Sequence, residues 1–302
     1  MVKLKRYSKN PILKPIRSHS WEQYVFNPAV VSLGGKIHFI YRALGKDKIS
    51  RFGYASSKDG FHIDERLEKP IYIPRIEAAE RVVEFNNAGV EDPRLTLIKD
   101  RIYMTYTAVN GRIGQVALAS IKVKNFLNKR WRWRRHGVLF PDILNKNAVL
   151  FSEKINGYYV LYHRFEPNIW VSYSKDLKKW SAPKIVMRPR DDMWDNLKIG
   201  AGAPPLKLKN KWLFIYHGVE QKKEKRIYRL GYVFVAKRDP ERILFRSKKS
   251  LLEPVKEYEK KGQIPNVVFS CGAVIKGDQL FVYYGAADSV IGVATADISK
   301  FL

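Results

Sequence analysis

Two adjacent carboxylates, Glu91 and Asp92, stand directly before Pro93 and Arg94 in the stretch 89–96. A carboxylate beside a guanidinium can act as a general acid or base, or can simply form an ion pair that stabilises a turn. Proline lacks a backbone N–H and is best tolerated at the start of a strand, and an apolar run follows it here. We therefore expect the pair at a strand entrance. Because neighbouring side chains in a strand point to opposite faces, we expect only one of the two carboxylates to face a given site.

The arrangement of runs around this stretch occurs five times along the chain. Five aromatic-rich runs each follow a turn signal and an apolar run, and each precedes a third strand-like run. The central runs cover 36–42, 101–106, 157–163, 211–217 and 279–285, with a tyrosine at 41, 106, 162, 216 and 284. The preceding runs are 28–33, 94–98, 148–152, 205–208 and 272–275, and the following ones are 52–57, 113–120, 169–174, 230–236 and 291–295. This pattern predicts antiparallel hairpins and few helices.

Five units of three or four strands, spaced by roughly 50–70 residues, indicate radial repetition. The sequence therefore predicts an all-β protein, a five-bladed β-propeller that forms a single domain over residues 1–302. A β-sandwich with the same number of strands is the alternative, although it does not explain the repeat. In a propeller the first strand of each blade lines the axial channel, so residues at the strand entrances converge on one pocket.

The residues that would converge there include few acids and several cationic groups. The strand entrances and ends contribute Asn27, Arg42, Glu91, Asp92, Lys146, Asn147, Arg164, His217, Tyr228 and Asp288. One acid facing Arg, Lys and His suits an anionic nucleophile such as inorganic phosphate, which arginine holds well. An ordinary glycosidase would need two carboxylates. The spacing of the six histidines predicts no metal site, and no phosphate-loop motif occurs.

A structural role is the alternative for several of these side chains. His163 and His217 could be core histidines whose nitrogens are satisfied by neighbouring groups. Arg164 could pair with Glu166, Lys146 could be solvated, and Tyr228 could serve only packing.

Composition bounds the class of protein and its surroundings. The chain has 302 residues and one cysteine, Cys271, which excludes an intramolecular disulfide and suits a reducing compartment. The first seven residues lack the apolar region of a signal peptide, and no run is long enough to span a membrane. We expect a soluble cytoplasmic protein.

The chain is strongly basic, with 56 Lys and Arg against 29 Asp and Glu, a formal charge of +27. Such a charge attracts anions of any kind. Residues 129–136 interleave tryptophan with arginine, which is typical either of a nucleic-acid patch or of an edge hairpin with tryptophan on one face. The lysines are spread along the whole chain, which favours a generally basic surface over dedicated nucleic-acid binding.

Several motifs resemble glycoside hydrolase family 130, the five-bladed β-mannoside phosphorylases and some β-mannosidases. The resemblance runs from about Asn27 to the C-terminus. Its motifs are Asn27-Pro28, Tyr41-Arg42-Ala43, 89–96, Gly200-Ala201-Gly202, Ile215-Tyr216-His217-Gly218, Tyr228-Arg229-Leu230-Gly231, 265–272 and 283–288.

The resemblance implies inverting phosphorolysis. Asp92 would be the single proton donor, acting on the glycosidic oxygen through the 3-hydroxyl of the mannosyl residue. Phosphate would attack the anomeric carbon from the opposite face and give α-mannose 1-phosphate, with no cofactor and no metal. By motif position the phosphate would be held by Arg164, His217, Tyr228 and Lys146. The sugar-binding positions would be Asn27, Arg42, Glu91, Arg94, Asn147 and Asp288.

Two other functions stay open at this point. A β-mannosidase on the same scaffold would need a second acid, for which Glu91 and Glu166 are the candidates. A non-catalytic basic propeller would bind polyanions through its surface. The linkage (β-1,2 or β-1,4), the acceptor sugar and homo-oligomer formation are also open, with mannooligosaccharides favoured as substrates.

Overall fold

A computed structural model describes residues 2–75 and 88–302. Over these residues the chain is nearly all-β. Helical structure in this part of the chain is confined to α1 (Val123–Leu127), α2 (Glu257–Lys260) and a 3-10 turn at Ile298–Phe301.

The first two predicted units form one sheet. After β1 (Lys5–Arg6), the first unit consists of β2 (Tyr24–Leu33), β3 (Lys36–Leu44), β4 (Ile49–Ser57) and β5 (Glu65–Arg66). The second consists of β6 (Ala88–Ile98), β7 (Arg101–Val109), β8 (Gly114–Lys122) and β9 (Arg134–Val138). Strands within each unit pair antiparallel, and β4 pairs with β6 in parallel, which joins the two units into an eight-stranded sheet.

The remaining units form three separate sheets. The third contains β10 (Lys146–Leu150), β11 (Tyr159–Phe165), β12 (Asn168–Ser174) and β13 (Lys184–Met187). The fourth contains β14 (Lys198–Ala201), β15 (Leu206–Lys207), β16 (Lys211–Lys222), β17 (Lys225–Ala236) and β18 (Ile243–Arg246). The fifth contains β19 (Val268–Lys276), β20 (Gln279–Ala286) and β21 (Val290–Asp297), and β1 from the other end of the chain pairs with β21 as its fourth strand.

The first strands of successive units lie against one another. β2 contacts β6, β6 contacts β10, and β10 contacts β14. β19 contacts strands β15 to β17 of the fourth unit and also contacts β2 of the first. The first and last units are therefore neighbours in space as well as being linked through β1.

The fourth unit departs from the prediction in two ways. The first strand predicted at 205–208 corresponds to β15 only, because strand pairing already begins at Lys198 in β14 and is interrupted between β14 and β15. Pro204 and Pro205 occupy this break, and neither has an N–H to donate to a ladder. The β16–β17 hairpin is also longer than expected, since pairing continues to Lys222 opposite Lys225.

Three first strands carry a β-bulge at the same place. The register shifts at Asn27 in β2, at Asp92 in β6 and at Asn147 in β10, and each of these residues has a positive φ of 49°, 49° and 54° respectively. Asn and Asp are the non-glycine residues that adopt this conformation most readily. A bulge re-aims a side chain that strict alternation would point elsewhere.

The two tryptophans of residues 129–136 are partly buried and pack against the core. Trp131 contacts the rings of Tyr54 and Phe126, and Trp133 contacts the ring of Tyr72 edge-on. The intervening arginines at 130, 132 and 134 are exposed. The tryptophans thus face inward and these arginines outward, as the edge-hairpin interpretation predicted, although both tryptophans precede β9, the strand at the sheet edge.

A buried Tyr–carboxylate–Arg cluster recurs in units one, four and five. The tyrosine lies in the second strand, the arginine in the fourth strand, and the carboxylate in the segment before the first strand. The clusters are Tyr41, Arg66 and Glu22; Tyr216, Arg246 and Asp195; and Tyr284, Arg6 and Glu259. All three carboxylate side chains are fully buried. Each cluster thus connects the fourth strand of its unit to the segment that leads into the first strand.

Glu259→Gln should therefore lower the free energy of unfolding by about 3–5 kcal/mol, the usual cost of breaking one partner of a buried ion pair. The Glu259 carboxylate accepts hydrogen bonds from Arg6 Nε at 2.7 Å and Tyr284 Oη at 2.9 Å, and from the backbone N–H groups of Val255 and Lys256. Urea unfolding followed by tryptophan fluorescence measures the loss.

Glu257→Gln, two residues away, is the matched control. Its carboxylate is 73% exposed and pairs only across one helical turn with Lys261, so its loss should change stability by about 0.5 kcal/mol or less. Equal effects of the two substitutions would contradict the role assigned to the buried cluster.

Candidate active site

One cavity of about 920 Å³ gathers most of the residues predicted to do chemistry. This volume lies within the range of small-molecule sites, roughly 300–1,000 Å³. Its walls include the predicted residues Asn27, Arg42, Glu91, Asp92, Lys146, Asn147, Arg164, Tyr228 and Asp288. Arg94 and His217 do not line it, since they are only 1% and 0% exposed and lie behind its wall.

Asp92 is held by two partners that approach the same carboxylate oxygen. Asn27 Nδ2 donates to Oδ1 at 2.8 Å, and Arg42 Nη1 lies 3.3 Å from that atom. Burial alone would raise the pKa of Asp92, but the charges of Arg42, Arg94 and Lys146 together with the Asn27 hydrogen bond hold it below its ordinary value. These surroundings therefore favour the ionised form of Asp92.

Glu91 faces the same cavity, so the expectation that only one of the two carboxylates would do so is wrong. Arg42 Nη2 donates to Glu91 Oε1 at 2.6 Å, and Lys146 Nζ donates to its other oxygen at 3.2 Å. The cause is the bulge at Asp92, where the register shift and the left-handed backbone break the strict alternation of the strand. Arg42 thus bridges both carboxylates.

Arg94 lies behind the cavity wall and forms hydrogen bonds to several of its segments. Its guanidinium donates to the carbonyl oxygen of Asp92 at 2.8 Å, to Asn147 Oδ1 at 3.1 Å, and to the carbonyl oxygens of Ala201 and Gly202 at 3.1 Å each. These groups belong to the second, third and fourth units. Arg94 was predicted to bind substrate, and its position makes it a support for the residues that line the cavity.

A second group of charges lies on the side formed by the third and fourth units. Arg164 and Lys198 both contact Glu166, at 2.9 Å from Arg164 Nη2 and 3.0 Å from Lys198 Nζ. Burial lowers the pKa of both cations, although Glu166 partly opposes this. Arg164 Nε is buried without a hydrogen-bond partner among the described residues. Arg164 therefore forms the ion pair with Glu166 that was the structural alternative, and it also lines the cavity.

Lys198 is the residue that the sequence interpretation missed. It lines the cavity in β14, the strand that was expected to begin seven residues later. The signal that could have found it is the run Lys198-Ile199-Gly200-Ala201, which continues directly into the glycine-rich motif.

His217 and Tyr228 form a stacked pair behind and beside these cations. Their ring centroids lie 6.4 Å apart, and His217 Nε2 lies 3.4 Å from Asn147 Nδ2. Burial, reinforced by Arg164, Arg94 and Lys198, holds the pKa of His217 well below its ordinary value, so the ring is neutral. Gly200 makes this packing possible, because a Cβ there would lie 2.5 Å from the His217 ring.

His163 is a core histidine, the structural alternative considered for it. It is fully buried, its two ring nitrogens lie 3.1 Å from Asn145 Nδ2 and 3.0 Å from Ser172 Oγ, and it stacks on Phe140. Burial lowers its pKa to about 3.

Asp288 is an acid with an environment opposite to that of Asp92. Burial, together with the nearby carboxylates Asp92 and Glu91 and against the opposing charge of Arg42, raises its pKa to about 7. The cavity therefore holds two aspartates whose environments push their protonation in different directions.

The described residues, 2–75 and 88–302, contain no group of three or more His, Cys, Asp or Glu side chains placed to hold a metal ion. In the same part of the chain, no helix has the length and apolar character needed to cross a membrane.

Comparison with known proteins places this chain in a family. The family profile described as beta-1,4-mannooligosaccharide phosphorylase matches residues 3–302. Two relatives from Thermoanaerobacter sp. (strain X514) are each 42% identical: a 1,2-beta-oligomannan phosphorylase, covering 99% of this chain and 98% of the relative, and a beta-1,2-mannobiose phosphorylase, covering 99% of both.

A solved structure superposes with a TM-score of 0.88 at 26% identity, over 99% of this chain and 95% of that one. It is described as part of a family of mannoside phosphorylases that also contains glycoside hydrolases targeting β-1,2 mannosidic linkages. With a profile match over nearly its whole length and relatives at this identity, the chain belongs to glycoside hydrolase family 130.

Proposed function

We propose that this protein catalyses inverting phosphorolysis of β-linked mannosides, giving α-mannose 1-phosphate and a shortened sugar. The observation that carries the proposal is a single cavity with an acid, Asp92, in one group of side chains and a partly unsatisfied cationic group, Arg164 with Lys198, in another. The names of the two relatives at 42% identity favour β-1,2-linked mannooligosaccharides as the first substrates to test.

The proposal also includes the overall architecture of the protein and its location in the cell. The five units would close into a five-bladed β-propeller, one domain spanning residues 1–302. Two contacts support closure: β1 completes the last sheet, and β19 lies against β2. A cytosolic location is part of the proposal, supported by a single cysteine, Cys271, which is buried and unpaired.

The phosphate would bind where Arg164, Lys198 and Lys146 face the cavity. Charge-assisted hydrogen bonds from such groups hold phosphate strongly, and Arg164 Nε is a buried donor that still lacks a partner. Tyr228 lines the same wall and supplies a hydroxyl. His217 lies behind it, so its expected contact with phosphate stays a prediction and would require a small rearrangement of the wall.

The proposed reaction balances without any cofactor. A phosphate oxygen forms a bond to the anomeric carbon while the bond from that carbon to the glycosidic oxygen breaks. Asp92 supplies the proton to the departing oxygen, by way of the mannosyl 3-hydroxyl that the family resemblance implies. Monohydrogen phosphate loses its proton as it becomes the sugar phosphate, and this proton restores Asp92.

Asp92 must gain a proton before it can act, although its protein surroundings hold its pKa below the ordinary value. Phosphate can meet this requirement because it brings nearly two negative charges into the cavity. Negative charge near a carboxylate disfavours its ionised form and raises its pKa. Binding of the nucleophile would thus protonate the donor, and the two events would occur together.

A hydrolase on the same scaffold is the second candidate, since the family includes such enzymes. It would need Glu91 or Glu166 as a base that activates water. Both carboxylates are engaged by two cationic side chains each, and the pKa of Glu166 is below its ordinary value, because Arg164 and Lys198 outweigh the effect of burial. A weakly basic, ion-paired carboxylate is a poor general base.

Synthesis from α-mannose 1-phosphate tests the proposal directly. With mannose, β-1,2- or β-1,4-mannobiose, glucose or N-acetylglucosamine as acceptor, phosphate release should depend on the acceptor. Asp92→Asn should reduce the rate by at least about 100-fold, because general acid catalysis contributes that much or more. Asp142→Asn, at another aspartate of positive φ that is exposed, is the control and should leave the rate unchanged.

Arg164→Ala should raise the KM for phosphate by roughly 10- to 100-fold, the worth of one or two charge-assisted hydrogen bonds. Arg130→Ala removes the same charge from an exposed position outside the cavity and should leave this KM unchanged.

Hydrolysis of mannobiose that does not require phosphate, without acceptor-dependent phosphate release, would favour the hydrolase instead. Inactivity in both assays would leave polyanion binding by the basic surface, which falls steeply with salt.

Asp288→Asn should change the pH dependence of stability. The pKa of Asp288 is about 7 in the folded protein and about 4 in an unfolded chain, so between these values the folded state retains a proton that the unfolded state has lost. Stability of the wild type therefore falls as the pH rises through this window.

Asn keeps the positive φ of 49° but does not titrate, so the variant escapes this loss. The difference in Tm, variant minus wild type, should increase between about pH 5 and pH 8, by at least about 2 °C, the shift that 1 kcal/mol produces in a chain of this size. A difference that stays constant across this range would contradict the raised pKa.

A further inference from the structure

Glu166 occupies an unusual position at the rim of the cavity. It lies in the turn between β11 and β12, and one of its oxygens, Oε1, contacts both Arg164 Nη2 at 2.9 Å and Lys198 Nζ at 3.0 Å. The Glu166 side chain is 46% exposed, whereas those of Arg164 and Lys198 are 9% and 16% exposed. The carboxylate therefore approaches two more deeply buried cations from the solvent side.

This arrangement is the one that an anionic ligand would adopt. A single oxygen bridges two cationic donors, as a phosphate oxygen does, and a carboxylate and a phosphate compete for the same type of donor. Glu166 nevertheless leaves the group incompletely satisfied, because the buried Arg164 Nε has no partner among the described residues. A ligand with three free oxygens could reach donors that one carboxylate does not.

Releasing Glu166 from these contacts would cost little. Its carboxylate already contacts water, so moving it outward restores its hydration, and half-exposed ion pairs are weak. The two cations are more deeply buried, and burial lowers the pKa of each, an effect that Glu166 opposes more than any other charge does. An anion that takes the place of Glu166 would maintain this opposition.

We propose that Glu166 is a resident competitor for the phosphate site: its carboxylate holds Arg164 and Lys198 in the free protein and is displaced toward solvent when phosphate binds. This inference rests on the proposed phosphorolysis and adds what sets the affinity for the co-substrate. Part of the free protein is then unable to bind phosphate, which weakens the apparent affinity in proportion to the fraction that remains competent. A carboxylate that stays nearby after release weakens it further by repulsion.

A positioning role for Glu166 is the competing explanation, and it predicts the opposite change in phosphate affinity. If Glu166 instead stays in place and orients Arg164 for phosphate, then removing its charge loosens the guanidinium and weakens phosphate binding. The sign of the change in affinity therefore decides between a competitor and a positioning residue.

The experiment compares the binding of inorganic phosphate to the wild type, Glu166→Gln and Glu166→Ala by isothermal titration calorimetry. Both variants should bind phosphate more tightly, by about three- to tenfold, since each tenfold step corresponds to only about 1.4 kcal/mol. In phosphorolysis, the KM for phosphate should fall in the same variants by a similar factor. Unchanged or weaker binding in the folded variants would overturn the proposal.

Glu153→Gln is the matched control. Glu153 is 40% exposed, pairs with a lysine, Lys207, as Glu166 does with Lys198, and does not line the cavity. Its substitution makes the same change in net charge and should leave phosphate affinity unchanged. Equal tightening in this variant would assign the effect to the overall charge and would also overturn the proposal.

The same measurements distinguish failure of the proposed function from failure of the competitor role alone. If the wild type neither binds phosphate nor releases it from α-mannose 1-phosphate, the phosphate site itself is wrong, and this inference falls with it. If the wild type binds and turns over phosphate but the Glu166 variants bind it no more tightly, only the competitor role is wrong.

Discussion

The structure of the site depends on the hydrogen bonds of one buried guanidinium. Arg94 is only 1% exposed, and it donates to groups in three units of the fold: Asp92, Asn147 and the Ala201–Gly202 backbone. A buried charge is costly unless its donors are satisfied, so those groups cannot drift away from Arg94 without leaving it unpaired. The constraint places the backbone of Asp92 and the amide of Asn147 at set distances, and through Asn147 it also places His217.

Charge compensation explains how one cavity can hold several cationic side chains. Arg42 and Lys146 are paired with Glu91, and Arg164 and Lys198 are paired with Glu166. The two carboxylates differ in exposure, since the Glu91 side chain is 8% exposed and that of Glu166 is 46% exposed. The buried carboxylate of Glu91 is suited to a permanent role in holding Arg42 against Asp92. The more exposed carboxylate of Glu166 is suited to exchange with an anion from solvent.

The bulges account for how a β-sheet presents so many polar groups at one point. A regular strand would send half of these side chains to the opposite face. At Asn27, Asp92 and Asn147 the backbone takes a positive φ, and each side chain turns into the shared cavity. Because the same device is repeated in three units, a short motif in each supplies one member of the site.

The amino-acid pattern was sufficient to predict the repeat and most of its strands. Turn residues and alternating apolar residues act locally, so the second and third strands of every unit, and the tyrosines at 41, 216 and 284 that hold the buried clusters, could be placed from the chain alone. The charged residues at the strand entrances were also apparent, because their types and positions recur with the repeat.

Other features depend on contacts between distant parts of the chain and could not be predicted in this way. Glu91 shares a cavity with Asp92 because of a register shift against the neighbouring strand, which no local pattern encodes. Lys198 joins Arg164 through Glu166, across 34 and 32 positions of sequence, and the prolines after β14 concealed the strand that carries it. Burial of His217 and the pKa values of Asp92 and Asp288 depend on packing and on charges contributed by separate units. Side-chain type is a property of the chain, whereas desolvation and charge proximity arise only when the units pack together.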